Sequence, residues 1–394
     1  MTTRFDKLIG TAAAAGFVLV AGYGPASAAQ VQITTLEGLL SAGYNTYVSG
    51  DIGSAGSAYT SDSQAAIAAG GNVYLQNFGA STNATANGVG LAVGGDLSMT
   101  NGSVNGVTDV AGAMTAASTG LNSVNVGGSL NYQYGQINGA VNVDGNATIT
   151  GAGVGGTVSV GGKASFINAA QPTVTPAASY LSPVNYAATT ANIASVSQSF
   201  AGMQTTAGDT FGRNASGAWV FNSAQAGDNV FDVTAAQFMA MSGNQVIFNG
   251  AVAGATDVIN VLDSGAISLP GNLSFGYAGT MTDNMVLLNV ANASTVNLAA
   301  NASYDFSIMA PNATLVTSGG AITGSVFAAN LTGQAPLNTA NSGGEFAGAL
   351  PSAGAAASAV LPAPPFGWVT LGLALLAWAG VSGRNRLGAL ATAT

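Results

Sequence analysis

Chemistry in this sequence would have to rest on a few aspartates. Histidine and cysteine are both absent, which removes thiolate nucleophiles, Cys or His metal sites, Ser-His-Asp triads and the usual proton shuttle near neutral pH. Two carboxylates alone can hydrolyse a glycoside when they face each other at about 5 to 9.5 Å, and Asp96 and Asp144 occupy neighbouring phases of a repeat. Asp96 follows a Gly-Gly pair and Asp144 stands where the first Gly usually does, so both also read as corner residues facing water. Asp228 with Asp232, and Asp257 with Asp263, place hard oxygen donors close in the chain, as structural calcium would require. The Asp-x-Asp-x-Asp-Gly and Gly-Gly-x-Gly-x-Asp spacings are missing, no residue stands out as a ligand, and no cofactor is expected. Gly161-Gly162-Lys163 is followed by Ala164, not Ser or Thr, so it fails the phosphate-loop pattern.

Non-catalytic recognition has more material. Between residues 29 and 365 the only bases are Lys163 and Arg213, against fourteen acids. No basic stripe could track a phosphate backbone, which excludes nucleic acid as a partner. The remaining surface is almost uncharged and rich in Asn, Ser, Thr, Gly and Ala, suited to many shallow hydrogen bonds with a polysaccharide or another surface. Asn122, Asn125, Asn131 and Asn138 could stack as amide ladders. Tyr132 and Tyr134 are the closest aromatic pair for a sugar face, although core packing would equally use them. Thr100, Thr115, Thr148 and Thr150 are too irregular for the repeated Thr face that ice binding demands.

The elements that must position these residues repeat. AGGNVYL from Ala69, VGGDLSM from Val93, VAGAMTA from Val110, VGGSLNY from Val126, VDGNATI from Val143 and VGGKASF from Val160 recur at steps of 24, 17, 16, 17 and 17 residues. Such a unit is too short for two packed helices and too rich in glycine for one. It fits one coil of a β-solenoid, with alternate apolar side chains turned into a narrow core. The pairs Gly70-Gly71, Gly94-Gly95, Gly127-Gly128 and Gly161-Gly162 are read as corners whose tight bend requires positive φ. A β-sandwich with recurring hairpins is the alternative. Ile193, Val196, Phe200 and Met203 share one helical face, which predicts an amphipathic insertion over about 177–203 lying along the rod or capping its end. Strand patterns then return from AWVFNS to GAITGSVFAANLTG, a second block of coils. The fold class is therefore mainly β, a right-handed β-solenoid with one side or capping helix, the handedness following known β-helices.

Both ends read as targeting segments. Arg4 and Lys7, an apolar run from Leu8 to Ala21, and Ala26-Ser27-Ala28 before Ala29 form a secretory signal over residues 1–28, cleaved after Ala28 by signal peptidase. Residues 29–350 form the ectodomain and 351–365 a Pro/Ala/Ser linker. Residues 366–386 comprise one apolar transmembrane helix with a basic stop, and 387–394 a short tail. Val360, Pro362 and Pro364, the helix, and Arg384 with Arg386 resemble a PEP-CTERM or VPLPA-like sorting tail, which implies an exosortase-like enzyme. The tail lacks the Glu of the commonest form, and eight residues follow Arg386. A plain membrane anchor remains the other reading.

GYNTYVSGDIG (43–53), the AAGGN and VGGDL corners, DNVFDVTAAQF and, above all, FSIMAPNATLVTSGGAITGSVFAANLTG (306–333) resemble the choice-of-anchor A family of exported bacterial surface proteins. The likeness spans roughly residues 37–346. It implies display on the envelope or in the biofilm matrix of a Gram-negative bacterium and an adhesive role, identifies no ligand, and supplies no catalytic motif. The expectation is thus a non-catalytic adhesin. A β-helical polysaccharide-active enzyme is the alternative, and an ice-binding or passive structural protein the next. An outer-membrane barrel is disfavoured by short, glycine-broken strands.

Overall fold

The computed structural model describes residues 32–177 and 179–351. Ala26, Ala28 and Ala29 of the cleavage motif, Val360, Pro362, Pro364, Arg384 and Arg386 of the sorting tail, and the apolar segment 366–381 lie outside the described residues. Among the described residues, no helix is long and apolar enough to cross a membrane.

The repeat builds a three-walled parallel solenoid. One coil is clearest from Val124 onward. Strand Met114–Val126 ends on a first wall, Gly127-Gly128 turns the corner, and Leu130–Gln133 runs along a second wall. Tyr134 and Gly135 turn again, Gln136–Ile137 forms a short third wall, and the chain regains the first wall at Val141–Val143. Each wall pairs in parallel with the next coil: Val124 with Val141, Leu130 with Ala147, Ile137 with Val154. Residues in register run from Leu97 through Met114, Leu130 and Ala147 to Ala164, following the sequence repeat. Side chains alternate across each wall, so Leu130 and Tyr132 are buried while Asn131 and Gln133 are half exposed.

The paired glycines are corners, but the reason is not positive φ. None of Gly70, Gly71, Gly94, Gly95, Gly127, Gly128, Gly161 and Gly162 is left-handed. Each lies directly against the backbone of the preceding coil. A Cβ on Gly94 would stand 2.5 Å from the carbonyl oxygen of Gly70, and one on Gly128 would stand 2.6 Å from that of Gly112. These corners need glycine because stacking leaves no volume for a side chain. The left-handed residues sit at the next corner, where Asn77, Asn101, Ser118, Tyr134, Gly151 and Asn168 have φ between 49° and 58°. Each follows the first residue of its Gly-type corner by seven positions.

Chain order and axial order differ. Along the first wall the parallel strands run Gly227–Val233, Ala255–Val261, Val286–Asn289, Ser307–Ser318 and Val326–Gln334. The next strand on that wall is Tyr44–Val48, where Val326 pairs with Thr46. The stack then continues through Ala66–Ala69 and Val89–Val93 to Val174–Thr175. The chain thus starts in the middle, climbs to one end, returns along the side and rebuilds the other end beneath its first coil. This order gives the first coil neighbours on both sides and removes an open edge.

The return path carries helix α2 (Tyr186–Ala201), shorter than the insertion read from 177 to 203. Pro183 holds the preceding residues extended, and Asn185 caps the helix by accepting from the Ala188 N–H. Ile193, Val196 and Phe200 are buried against Val230, Val258, Leu287, Met309 and Phe327, while Met203 is half-buried on the same cluster. Helix α1 (Leu36–Ala42), N-capped by Thr35, buries Leu36 and Leu39 there too. Inside the rod the first block stacks mainly aliphatic side chains, with Tyr59, Phe78 and Tyr132 among them. The second stacks rings, with Phe211 to Phe221 at 4.6 Å and Phe221 to Phe248 at 5.2 Å between centroids.

Candidate functional site

The three walls differ in what they can touch. The first is covered: every residue of Ala66–Ala69 and of Ala255–Val261 is buried beneath the helices and the segment around Phe346. A polar relay pins α2 to it. Asn260 donates to Asp232 at 3.1 Å, Asn289 donates to Asn260 at 2.9 Å, and Ser197 donates to Asn289 at 2.6 Å. The third wall is short in the first block. The second is open to solvent along the whole stack.

On this open wall the outward residues form two columns. In the first block Ser98, Thr115, Asn131, Thr148 and Ser165 follow one another in register, with Thr100, Ala117, Gln133, Thr150 and Ile167 beside them. In the second block Ser268, Asn297, Val316 and Thr332 continue the first of these columns, reaching Ser98 through Tyr74, and Ser318 and Gln334 continue the second, whereas Ala266, Thr295, Thr314 and Asn330 belong to the corner row. Ile52 of the first coil bridges to Leu331 on one side and Val73 on the other, joining the blocks. At about 4.8 Å per coil the wall is roughly 50 Å long. Apart from the corner row, no charged side chain stands in its columns. A small turn, Ser54 to Ser57, projects from the middle.

The corner row beside this wall explains the acids of the repeat. At most corners the residue after the Gly-type pair accepts a hydrogen bond from the backbone N–H of its counterpart one coil on, Ala113 having no side chain to do so. Asn330 accepts from Asp51 at 2.9 Å, Asp51 from Asn72 at 2.6 Å, Asn72 from Asp96 at 2.9 Å and Asp96 from Ala113 at 2.7 Å. Asn146 accepts from Lys163 at 2.8 Å. Asp96 is therefore a rung of a side-chain ladder, and Asp144 accepts from the Tyr180 N–H at 2.8 Å, holding the return segment. Lys163 is the next rung, on an exposed corner and not in a phosphate loop. The ladder follows from the spacing of Asn72, Asp96, Ser129 and Asn146, a column that reading the glycines alone passes over.

The other sequence candidates separate. Tyr132 is fully buried and donates to the Thr119 carbonyl, whereas Tyr134 is 65% exposed at the corner, so the two do not form one aromatic face. Thr100, Thr115, Thr148 and Thr150 all point outward on the open wall, with Asn131 and Gln133 interrupting them. Asn122 donates to Asn105 and Asn125 to Asp109, rungs on different walls. Asp263 accepts from the Ala235 N–H, at the start of helix α3 (Ala235–Met239).

Asp257 points into the second block, where Ser223 donates to it and its other oxygen has no partner. Burial pushes its carboxyl up to about 7, and Asp209 nearby adds to the rise; burial likewise pushes Asp228 up to about 6. Among the described residues, no three acids converge as metal ligands would.

Residues 91–339 match a family described as "Putative Ice-binding-like adhesive domain". No curated relative matches the chain. Among solved structures, an ice binding protein from an Antarctic bacterium, Flavobacteriaceae, is similar over 77% of this chain and 97% of its own, at 12% identity and a TM-score of 0.27.

Proposed function

Because the chain belongs to the ice-binding-like adhesive domain family, we propose that it is an exported, non-catalytic adhesin that lays its open wall against an extracellular polysaccharide or similar surface. The observation that carries this reading is the pair of uncharged columns, mostly Ser, Thr, Asn and Gln, repeated at coil spacing for roughly 50 Å. Individual hydrogen bonds to water-exposed groups contribute little, but many at a fixed spacing on a rigid sheet bind together without further ordering cost. In this reading the coils are right-handed and the ectodomain is of the choice-of-anchor A type. Signal peptidase releases it after Ala28, and a PEP-CTERM-like tail around Val360, Pro362 and Pro364, with its basic stop at Arg384 and Arg386, holds it at the envelope at least transiently.

The test is adsorption of the purified full-length protein to a panel of immobilised polysaccharides, with released reducing sugar assayed in the same wells. Saturable binding that is lost in Thr115→Arg/Thr148→Arg, with no sugar released, supports the adhesin. Release of reducing ends overturns it in favour of an enzyme. A second reading, ice binding, is favoured by the four threonines sharing the open wall. Thermal hysteresis lost in the same variant would support it, against the interruption of the Thr columns by Asn131 and Gln133.

A further inference from the structure

Asp257 and Asp209 meet at one corner inside the second block. Asp257 lies on strand Ala255–Val261, two and four positions before Ile259 and Val261, whose side chains fill the core, so alternation turns it inward with them. It is 0% exposed; Ser223 donates to one of its oxygens, and the other has no donor among the described residues. Asp209 reaches the same corner from strand Thr210–Arg213, which pairs antiparallel with Trp219–Ser223. Phe211 pairs with Phe221 and stacks on it, which marks the inward face of the two strands. One step past the pair Thr210 and Asn222, Asp209 stands opposite Ser223 on that face. Its carboxylate accepts from the Ala224 N–H at 2.7 Å, and its second oxygen is also buried with no donor among the described residues.

Ser223 thus stands between two carboxyl groups, each with one oxygen that no protein group satisfies. Such oxygens are costly to bury unless a positive charge or a donor reaches them. Burial pushes both carboxyls above their ordinary range, Asp257 to about 7, where the charge of Asp209 adds to the rise. Among the described residues the second block has one base, Arg213, and it lies over the Trp219 ring at the other end of the strand. Thr210–Arg213 is the terminal strand of its sheet and Asp209 is only partly buried, so the corner opens to solvent at the end of the rod. Fourteen acids against two bases between residues 29 and 365 draw cations toward it.

We propose that Asp209, Ser223 and Asp257 hold a calcium ion at this corner. Two carboxylates and a hydroxyl are hard oxygen donors, and water entering past Asp209 completes the shell of about six to eight oxygens that calcium takes. Calcium accepts such an irregular, partly hydrated shell, whereas magnesium demands near-octahedral geometry. The ion replaces the protons that the two acids otherwise hold, and it ties the terminal strand to strand Ala255–Val261 in the next coil. The site is separate from the open wall and does not depend on what that wall binds.

The test titrates chelator-treated full-length protein at about pH 8, where the pair has given up its protons, with calcium chloride or magnesium chloride at fixed ionic strength, followed by calorimetry and melting temperature. One calcium ion per chain is expected to bind, with Kd on the order of 10⁻⁴–10⁻³ M, the range of extracellular modules, and magnesium about tenfold or more weakly. Calcium should raise the melting temperature, because only the folded chain assembles the site. Asp257→Asn and Asp209→Asn should each lose about tenfold or more in calcium affinity, since removing a ligand costs at least what removing a supporting residue does. Asp228→Asn, on the outward face of the neighbouring strand, should bind as the wild type does. Because Asp209 is partly exposed, its variant keeps the test decisive even where Asp257→Asn does not fold. No calcium binding at about ten times that Kd, equal affinity for magnesium, or wild-type affinity in Asp209→Asn would each overturn the proposal and leave the two acids holding protons.

Discussion

At Gly128, in the first block of coils, φ lies outside the left-handed region and a Cβ would collide with the Gly112 carbonyl 2.6 Å away; at Gly254, in the second, φ is +79° and nothing lies within 4 Å. The contrast extends to neighbouring positions. Gly70, Gly94 and Gly161 are held against the coil before them, whereas Gly227, Gly243 and Gly265 are left-handed with open space around them. The two blocks also fill their interiors differently. The short coils are filled mainly by Leu, Met and Val, with Tyr59, Phe78 and Tyr132 set among them, while the longer second-block coils take a stack of phenylalanines and enclose a carboxyl group. A glycine stacked on the neighbouring coil is limited by backbone contact and one in a projecting turn by the conformation of that turn, so the same residue type serves different constraints; Gly320 and Gly333, left-handed and pressed on the coil before them, meet both.

The largest test of this difference is pH. Asp257 is fully buried, and its carboxyl rises from the usual 3.8 to about 7, so the folded chain holds a proton that the unfolded chain releases. Stability therefore falls as pH rises from about 4 through about 7, by up to about 4 kcal/mol. Thermal melts of the full-length protein should show the second block losing stability between pH 5 and pH 8, and Asp257→Asn should abolish most of that slope. A flat profile would mean that the second block tolerates its carboxylate charged.

Gly128→Ala should cost about 3 kcal/mol, because neither the new methyl group nor the neighbouring backbone can move aside in a stacked sheet. Gly254→Ala should cost about 1 kcal/mol, the penalty of a left-handed alanine with free space around it. Chemical denaturation of the two variants measures both, and equal losses would break the distinction between the blocks. The smallest effect is a gain. Tyr134 is left-handed and exposed where Asn77 and Asn101 hold the same corner. Tyr134→Asn should therefore stabilise by about 0.5 kcal/mol, read as a rise in melting temperature.

Much of this architecture is legible in the sequence. The step from Val110 to Val126 to Val143 is the coil itself, and the Ile193, Val196 and Phe200 stripe is the buried face of α2. The corners were visible but their cause was not. Positive φ and lack of room both select glycine, and only the distance to the adjoining coil separates them. The left-handed column escaped notice because Asn, Ser, Tyr and Gly share no chemical type. Axial order was also hidden, since nothing local in VFAANLTG states that Val326 pairs with Thr46. The uncharged polar surface is legible in the composition, and its place on one side of the rod comes from the register of the coils. Arg213 reads only as a count of charge in the sequence, and its place over the Trp219 ring comes from the pairing of their two strands.

The mid-stack start has a kinetic consequence. Asn45 and Ser325, hydrogen-bonded at 2.9 Å, are 280 residues apart. A chain delivered from its N-terminus can assemble residues 44–175 as they arrive, because those contacts are local, but the lower edge of the first coil waits for strand Val326–Gln334. Closing so long a loop is slow, and an unpaired parallel edge is available meanwhile to any other strand. Interruption of synthesis or export before residue 326 would therefore leave a nearly complete rod with an adhesive cut through its middle, and the step most exposed to misassembly is the last one.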